Sequence, residues 1–576
     1  MRNARIVARA AAGVAAVLVL ASFESAFEPD RGARAPLLDG FGSVAMTVTT
    51  DVAEAQRLFT RGLLQTYAFN DDEAARAYRA ALALDPRCAM CAWGVAKAAG
   101  PNINNVERGD LADARRHLAW ARRQAEHASA RERALVDALI DRYGPEPAPT
   151  RTASASAVAA AVVASAPVCS AFAATNPHPL DVVYAERMRA IADAYPDDVD
   201  VLVFYAEAAM IATRGDLWDR KTGAPAGPMG DIADRLERAL RTHPDHPGLN
   251  HFLIHAVDSS PHPERALAAA DRLGRLAPES PHLTHMPAHI YVRLGRYRDA
   301  VRVNEEAIAA QARQDRKIAA QGFRASNDWS SHNRHFLWFA ALTEGRGELA
   351  LEQARALAGF AANGKSASAE FMRSLPLLTL VRLERWDDVL GAGAPAGDDG
   401  IAGAIADYGA GVALVRIGHV EAARQRSARL DSALDAAALR GRTLMGDDPA
   451  KNVLEILARH LRGEIAVAGN DAAAARTALA GADALEAALG ANEPPILGSL
   501  SRVALGDLML RAARWSDAES AFRAELGAQR DNGWALAGLQ RALDRQGRTA
   551  EALRVRADAE RAWSDADPPL RRLVLR

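Results

Sequence analysis

The chain has 576 residues, with Lys+Arg 70 against Asp+Glu 72, so its formal net charge is −2. That length exceeds one compact core and fits several domains or one elongated repeat array, while the balanced charge and the lack of any Lys/Arg run exclude a general nucleic-acid binder. Hydrophobic residues reach 49% with aromatics at only 6%, a composition of closely packed helices, and three cysteines exclude a disulfide scaffold.

The chain opens with Arg2, Arg5 and Arg9 ahead of an apolar stretch from Ala10 to Ala21, where Val19 and Ala21 offer a small-residue cleavage site. This stretch suits a secretory signal over residues 1–25 and is too short for a membrane span of about 20 residues. The expected location is outside the cytoplasm, in the periplasm, with an uncleaved N-terminal anchor as the alternative. No cysteine follows to carry a lipid, and no later segment is apolar enough to cross a membrane.

From residue 36 to 144 the apolar residues recur at helical spacing, and no strand-length alternation interrupts them. Gly62, Ala74, Tyr78, Ala81 and Pro86 fall at positions 8, 20, 24, 27 and 32 of a 34-residue unit. Small residues at 8, 20 and 27 allow two antiparallel helices to approach, which is the spacing of a tetratricopeptide (TPR) helical hairpin. Cys88-Ala-Met-Cys91 straddles the turn into the next unit. With no histidine after it, c-type haem attachment is excluded. A local disulfide, or a soft copper site including Met90, remains.

Residues 145–179 are rich in Ala, Ser, Thr and Pro and read as a linker. The central section, 180–390, contains the clearest repeat. Laying 247–280 over 281–314 superposes Ala266 on Ala300, and Leu294-Gly295-Arg296-Tyr297 marks the second hairpin. Residues 391–400 (Gly-Ala-Gly-Ala-Pro-Ala-Gly-Asp-Asp-Gly) read as a hinge. The last section, 401–576, repeats the register at Gly418/Ala423, at Gly469/Ala474, at Leu505-Gly506 with Trp515, Ala518 and Phe522, and at Trp534 with Gly547 and Ala552. The expected fold is therefore all-α, a right-handed solenoid of TPR hairpins in several sections.

Ten of the 15 histidines lie between His243 and His335. His243, His246 and His262 precede prolines in inter-helix turns and read as solvated. His251 and His255 are four apart, as are His285 and His289, and the pairs are separated by the repeat (285 − 251 = 34, 289 − 255 = 34). They occupy positions 5 and 9 of consecutive first helices. Allowing 16 inserted residues, a third unit places His335 at position 5 and His332 at position 2, where the unit before has His282. Residues four apart share a helix face and packed helices lie about 8–10 Å apart, so up to seven imidazoles converge on a concave wall. Imidazole suits Cu, Zn and Fe, and a transition-metal ion is the expected cofactor, with His251, His255, His285 and His289 as first-choice ligands, then His335, His282 and His332. Asp258 and Glu207 are possible carboxylate partners. A bound ion would act as Lewis acid or redox centre if the protein is an enzyme. The competing occupant of such a groove is a peptide or protein segment held without metal, and metal storage or delivery is a third reading. Pro287 falls at position 7, inside the expected helix, where it either begins a helix or kinks one.

These segments resemble a family of bacterial exported TPR proteins. The resemblance is carried by Asp85-Pro86-Arg87-Cys88-Ala89-Met90, Gly100-Pro101-Asn102-Ile103-Asn104, His246-Pro247-Gly248-Leu249-Asn250-His251, Ile254-His255-Ala256-Val257-Asp258, His285-Met286-Pro287-Ala288-His289 and His332-Asn333-Arg334-His335. It implies a shared site in the histidine segments but no particular reaction. Phe69-Asn70-Asp71 departs from the family's Phe-Asn-His, and Asp258 stands where Glu is usual.

Overall fold

A computed structural model describes residues 27–105, 111–144, 177–213, 217–392, 400–436, 439–445, 448–490, 493–498 and 500–574. The signal segment expected over 1–25 lies outside these residues, as do 145–176 of the expected linker and 393–399 of the expected hinge.

The chain folds as stacked antiparallel helical hairpins, an all-α TPR-type solenoid. The N-terminal section contains α1 (Ala53–Tyr67), α2 (Asp71–Leu84), α3 (Ala89–Ala98), α4 (Ala112–Gln124) and α5 (Ala130–Tyr143). The central section contains α6 (Pro179–Ala194), α7 (Val199–Thr213), α8 (Met229–Thr242), α9 (Pro247–Val257), α10 (Leu267–Leu276), α11 (Pro281–His285), α12 (Pro287–Arg293), α13 (Tyr297–Ala320), α14 (Ser330–Glu344), α15 (Gly347–Phe360), α16 (Ala367–Arg382) and α17 (Trp386–Ala392). The last section contains α18 (Ile401–Arg416), α19 (Val420–Asp435), α20 (Ala450–Ala468), α21 (Ala472–Ala488), α22 (Leu500–Arg511), α23 (Trp515–Ala528), α24 (Gly533–Arg545), α25 (Thr549–Ala562) and α26 (Pro568–Val574). A two-residue antiparallel pair, Thr443–Leu444 with Asp448–Pro449, is the one strand pairing among the described residues.

Local chemistry sets the helix starts. Ser129 and Glu132 form a capping box on α5, and Pro247 and Pro281 open α9 and α11, where the missing N–H costs nothing. The small residues do what their spacing implied. A Cβ on Gly62 or Gly94 would meet the Tyr78 ring at 2.7 or 2.4 Å, and one on Gly506 or Gly538 would meet Phe522 at 2.4 or 2.2 Å. In both sections an aromatic on a second helix fits between glycines of the two flanking first helices.

The sections close on one another. Tyr67 at the end of α1 donates to Asp200 in α7 (2.5 Å), and Glu279 N–H donates to Gly40 O (3.1 Å). From the other end, the Trp534 and Trp563 indoles donate to Leu342 O (2.8 Å) and Thr343 O (2.9 Å) at the end of α14. The histidine helices therefore sit at the centre of the molecule, with His251, His282 and His285 at 0% exposure. This corrects the expectation of an open concave wall, because the flanking sections cover it. Among the described residues no helix is long and apolar enough to cross a membrane.

Candidate metal centre

Six histidines form two trios, His251/His255/His282 and His285/His289/His332, and within each the ligand atoms lie within 4.8 Å of one another. The construction is periodic. Each trio takes positions 5 and 9 of one unit and position 2 of the next, so the 34-residue repeat generates the site twice. The 16 inserted residues do not disturb this, since they lengthen α13 to 24 residues and form the segment that sets Trp329 against His282. Pro287 begins α12 after a break at Met286, yet His285 and His289 still meet.

In the first trio, His251 Nε2 lies 3.0 Å from both His282 Nε2 and His255 Nε2. In the second, His285 Nε2 lies 3.1 Å from His289 Nε2 and 3.0 Å from His332 Nε2. With metal–nitrogen bonds of about 2.0–2.1 Å, such separations correspond to ligand–metal–ligand angles of about 95°. The central rings, His251 and His285, are thus each close enough to share an ion with both of their partners.

The surrounding groups determine which nitrogen carries the proton. His251 Nδ1 donates to the backbone carbonyl of Tyr67 (2.7 Å). His285 Nδ1 donates to Asn304 Oδ1 (2.7 Å), and the Asn304 amide is oriented by its own donation to Ala300 O (2.7 Å). His289 Nδ1 donates to the Glu493 carboxylate. In their neutral forms His251 and His285 thus turn a bare Nε2 towards their partners. Acceptors behind metal-bound imidazoles do this in metalloproteins, fixing the tautomer and raising ligand basicity.

Burial favours the neutral form of His251, His255, His282, His285 and His332. It pushes His251 down to about 3 against its Tyr67 hydrogen bond, and burial followed by neighbouring imidazoles places His255, His282, His285 and His332 well below the usual range. Aromatic rings complete the walls. Phe69 packs on His251 (4.8 Å between centroids), His282 (5.1 Å) and His255 (5.9 Å), while Phe336 does the same for His289, His285 and His332 at 4.5, 4.6 and 5.2 Å. Phe69 reaches its place through a left-handed backbone, φ 49°, a strained conformation for a bulky residue.

Other expected residues are placed differently. His335 belongs to neither trio. Its position-9 companion would be residue 339, which is Phe, and its ring stacks on Trp338 with Nε2 buried and unpaired. Burial alone lowers it to about 4. Glu207 is no partner of the histidines, because Lys97 holds it in a buried ion pair (2.7 Å). Asp258 does reach the site, with Oδ2 3.8 Å from His289 Nδ1. Burial and the Glu493 charge push Asp258 upward, while His289 and Arg293 hold Glu493 down against its burial. His246 is not the solvated turn residue expected. It is 7% exposed, caps α9 and pairs with Asp200 (3.1 Å), which also holds Tyr67. Cys88 and Cys91 are joined in a disulfide, leaving no thiolate for a soft-metal site. Asp71, at the departure from the family pattern, accepts from Asn102 (2.7 Å), and burial raises it to about 7.

Sequence reasoning missed Glu493, Asn304, Tyr67, Phe69, Phe336 and Trp329. Glu493 lies 204 residues from His289 in an aperiodic loop, so no spacing points to it.

No family model matches the sequence, and no curated protein matches it. Among solved structures, the chain is similar to human IFIT1 in a dimer with m7Gppp-AAAA (11% identity, 89% of this chain and 91% of that one, TM-score 0.31). Yeast Tom70 is similar at 13% identity over 90% of this chain and 94% of that one, TM-score 0.27. The P58(IPK) TPR domain is similar at 10% identity over 86% and 99%, TM-score 0.20.

Proposed function

We propose that this is an exported TPR-type solenoid that uses its repeat to hold transition-metal ions, Cu, Zn or Fe, one in each histidine trio. One observation carries the reading. His285 Nε2 lies 3.1 Å from His289 Nε2 and 3.0 Å from His332 Nε2, three buried imidazoles converging on one point, and the first trio repeats the arrangement one 34-residue unit earlier. Three imidazoles converging on one point, repeated in two units, are a donor set for Cu, Zn or Fe. A peptide clamp gives no reason for such a convergence, and burial keeps a peptide off these rings. Export is supported by the N-terminal Arg-plus-apolar pattern and by the Cys88–Cys91 disulfide, which fits an oxidising compartment. An ion held by three protein ligands keeps a coordination position for a further ligand, which suits Lewis-acid or redox catalysis.

The test is elemental analysis of the untagged chain purified from its native compartment. Two ions per chain are expected, with one lost in His251→Ala and one in His285→Ala while circular dichroism stays helical. A wild-type chain that retains no metal and takes none up on titration overturns the proposal.

A further inference from the structure

The two trios are copies of one another. In the first, ring centres lie 4.7 Å (His251–His255), 4.9 Å (His251–His282) and 6.2 Å (His255–His282) apart. In the second, the corresponding separations are 5.0 Å (His285–His289), 4.7 Å (His285–His332) and 6.3 Å (His289–His332). The trios are also close neighbours. His255 and His289 hold position 9 in consecutive units, and their ring centres are 6.3 Å apart. His282 and His285 belong to different trios but follow one another on α11, again at 6.3 Å. These rings of different trios are no further apart than the outer pair within one.

That spacing relates the two ions to each other. An ion bound about 2.0–2.1 Å beyond Nε2 stands roughly 3 Å from the ring centre. Consecutive units of a solenoid differ by a step with only a small rotation, so the step from ion to ion follows the step from His255 to His289 and comes to about 5–8 Å. This is inside the Debye length of about 8 Å at physiological ionic strength, and burial leaves little water or salt to screen the pair. Two divalent ions bring four positive charges. The carboxylates grouped with these histidines among the described residues are Glu493 and Asp258, both beside His289, and two carboxylates cannot balance that charge.

Resting on the metal-binding reading above, we infer that the two trios make one dinuclear centre, in which the paired ions are magnetically coupled and filling either trio weakens the other. The coupling is reciprocal, since each ion feels the field of its neighbour equally. The 34-residue repeat thus produces an interacting pair of ions rather than two independent stores.

The test uses the full chain loaded with two Cu(II) per molecule, counted by elemental analysis and examined by electron paramagnetic resonance. A dipolar-broadened spectrum with a half-field line is expected, or a signal integrating to fewer than two spins per chain. His251→Ala and His285→Ala, each holding one copper, should give simple mononuclear spectra without the half-field line. In competition with a chromophoric chelator, the second wild-type copper should bind about 5–150-fold more weakly than the copper of the weaker single-ion variant. A two-copper spectrum that is the sum of two isolated ions, or a second copper bound as tightly as in that variant, overturns the inference; two ions are still bound, so the metal reading survives. A chain that takes up no copper overturns both. The wild-type spectrum decides the question even if a variant fails to fold.

Discussion

Glu493 comes from a loop of the last section and supplies the anionic partner of His289, a ligand candidate in the central one. A carboxylate behind a metal-bound imidazole raises its basicity, and removing such a partner costs about 10–100-fold in metal affinity. Glu493→Gln is therefore expected to weaken one of two ions by that order, read by competition with a chromophoric chelator, with the other unchanged. His335 gives the opposite outcome. Its Nε2 is buried with no partner, a penalty of about 1–3 kcal/mol, and its ring merely stacks on Trp338. His335→Phe should leave the metal content at the wild-type value and raise Tm; loss of an ion would place His335 in the site after all.

At the level of helices, the same hairpin geometry recurs because the small-residue register recurs, but polar groups specify individual packings. Glu464 in α20 faces Arg416 of α18, Arg511 of α22 and His460 on its own helix, and Tyr408 of α18 donates to His460 Nδ1 (2.8 Å). Burial pulls Glu464 upward, but His460, Arg511 and Arg416 outweigh it and bring the carboxyl down from 4.5 to about 2. The folded value lies below the unfolded one, so this group's stabilisation is complete above pH 4.5 and disappears as pH falls towards 2. Wild type should lose stability between pH 6 and pH 3 more steeply than Glu464→Gln, which should already be less stable at pH 6. Thermal melts across that range measure both slopes, and parallel slopes would refute the pairing.

Over the whole molecule, the burial of the histidines depends on long-range closure. Trp563 is fully buried, its indole donating to Thr343 O and its ring edge-on to Trp534 at 5.0 Å. Truncating such a ring costs about 3–5 kcal/mol. Trp563→Ala should detach α24–α26 from the end of α14, seen as faster amide exchange in residues 533–574 and at 340–344, with α1–α3 unaffected. Uniform acceleration along the chain would instead mean that the sections unfold as one unit.

Much of this protein is legible in its residues alone. The 34-residue period, small residues at fixed positions and prolines at helix starts specify helical hairpins because each acts over one or two turns of chain. The same period implied that His251, His255, His285 and His289 come together, since stacking translates one unit onto the next. It also carried the signal that ranked His335 too high: a complete trio needs a histidine four residues on, and position 339 is Phe. Only the tertiary structure decided that two separate trios form rather than one wall, that flanking sections bury them, and that Glu493, Phe69 and Asn304 complete them. Those contacts join residues up to 204 positions apart through loops without periodicity, and a local pattern has no term for where a distant loop will come to rest.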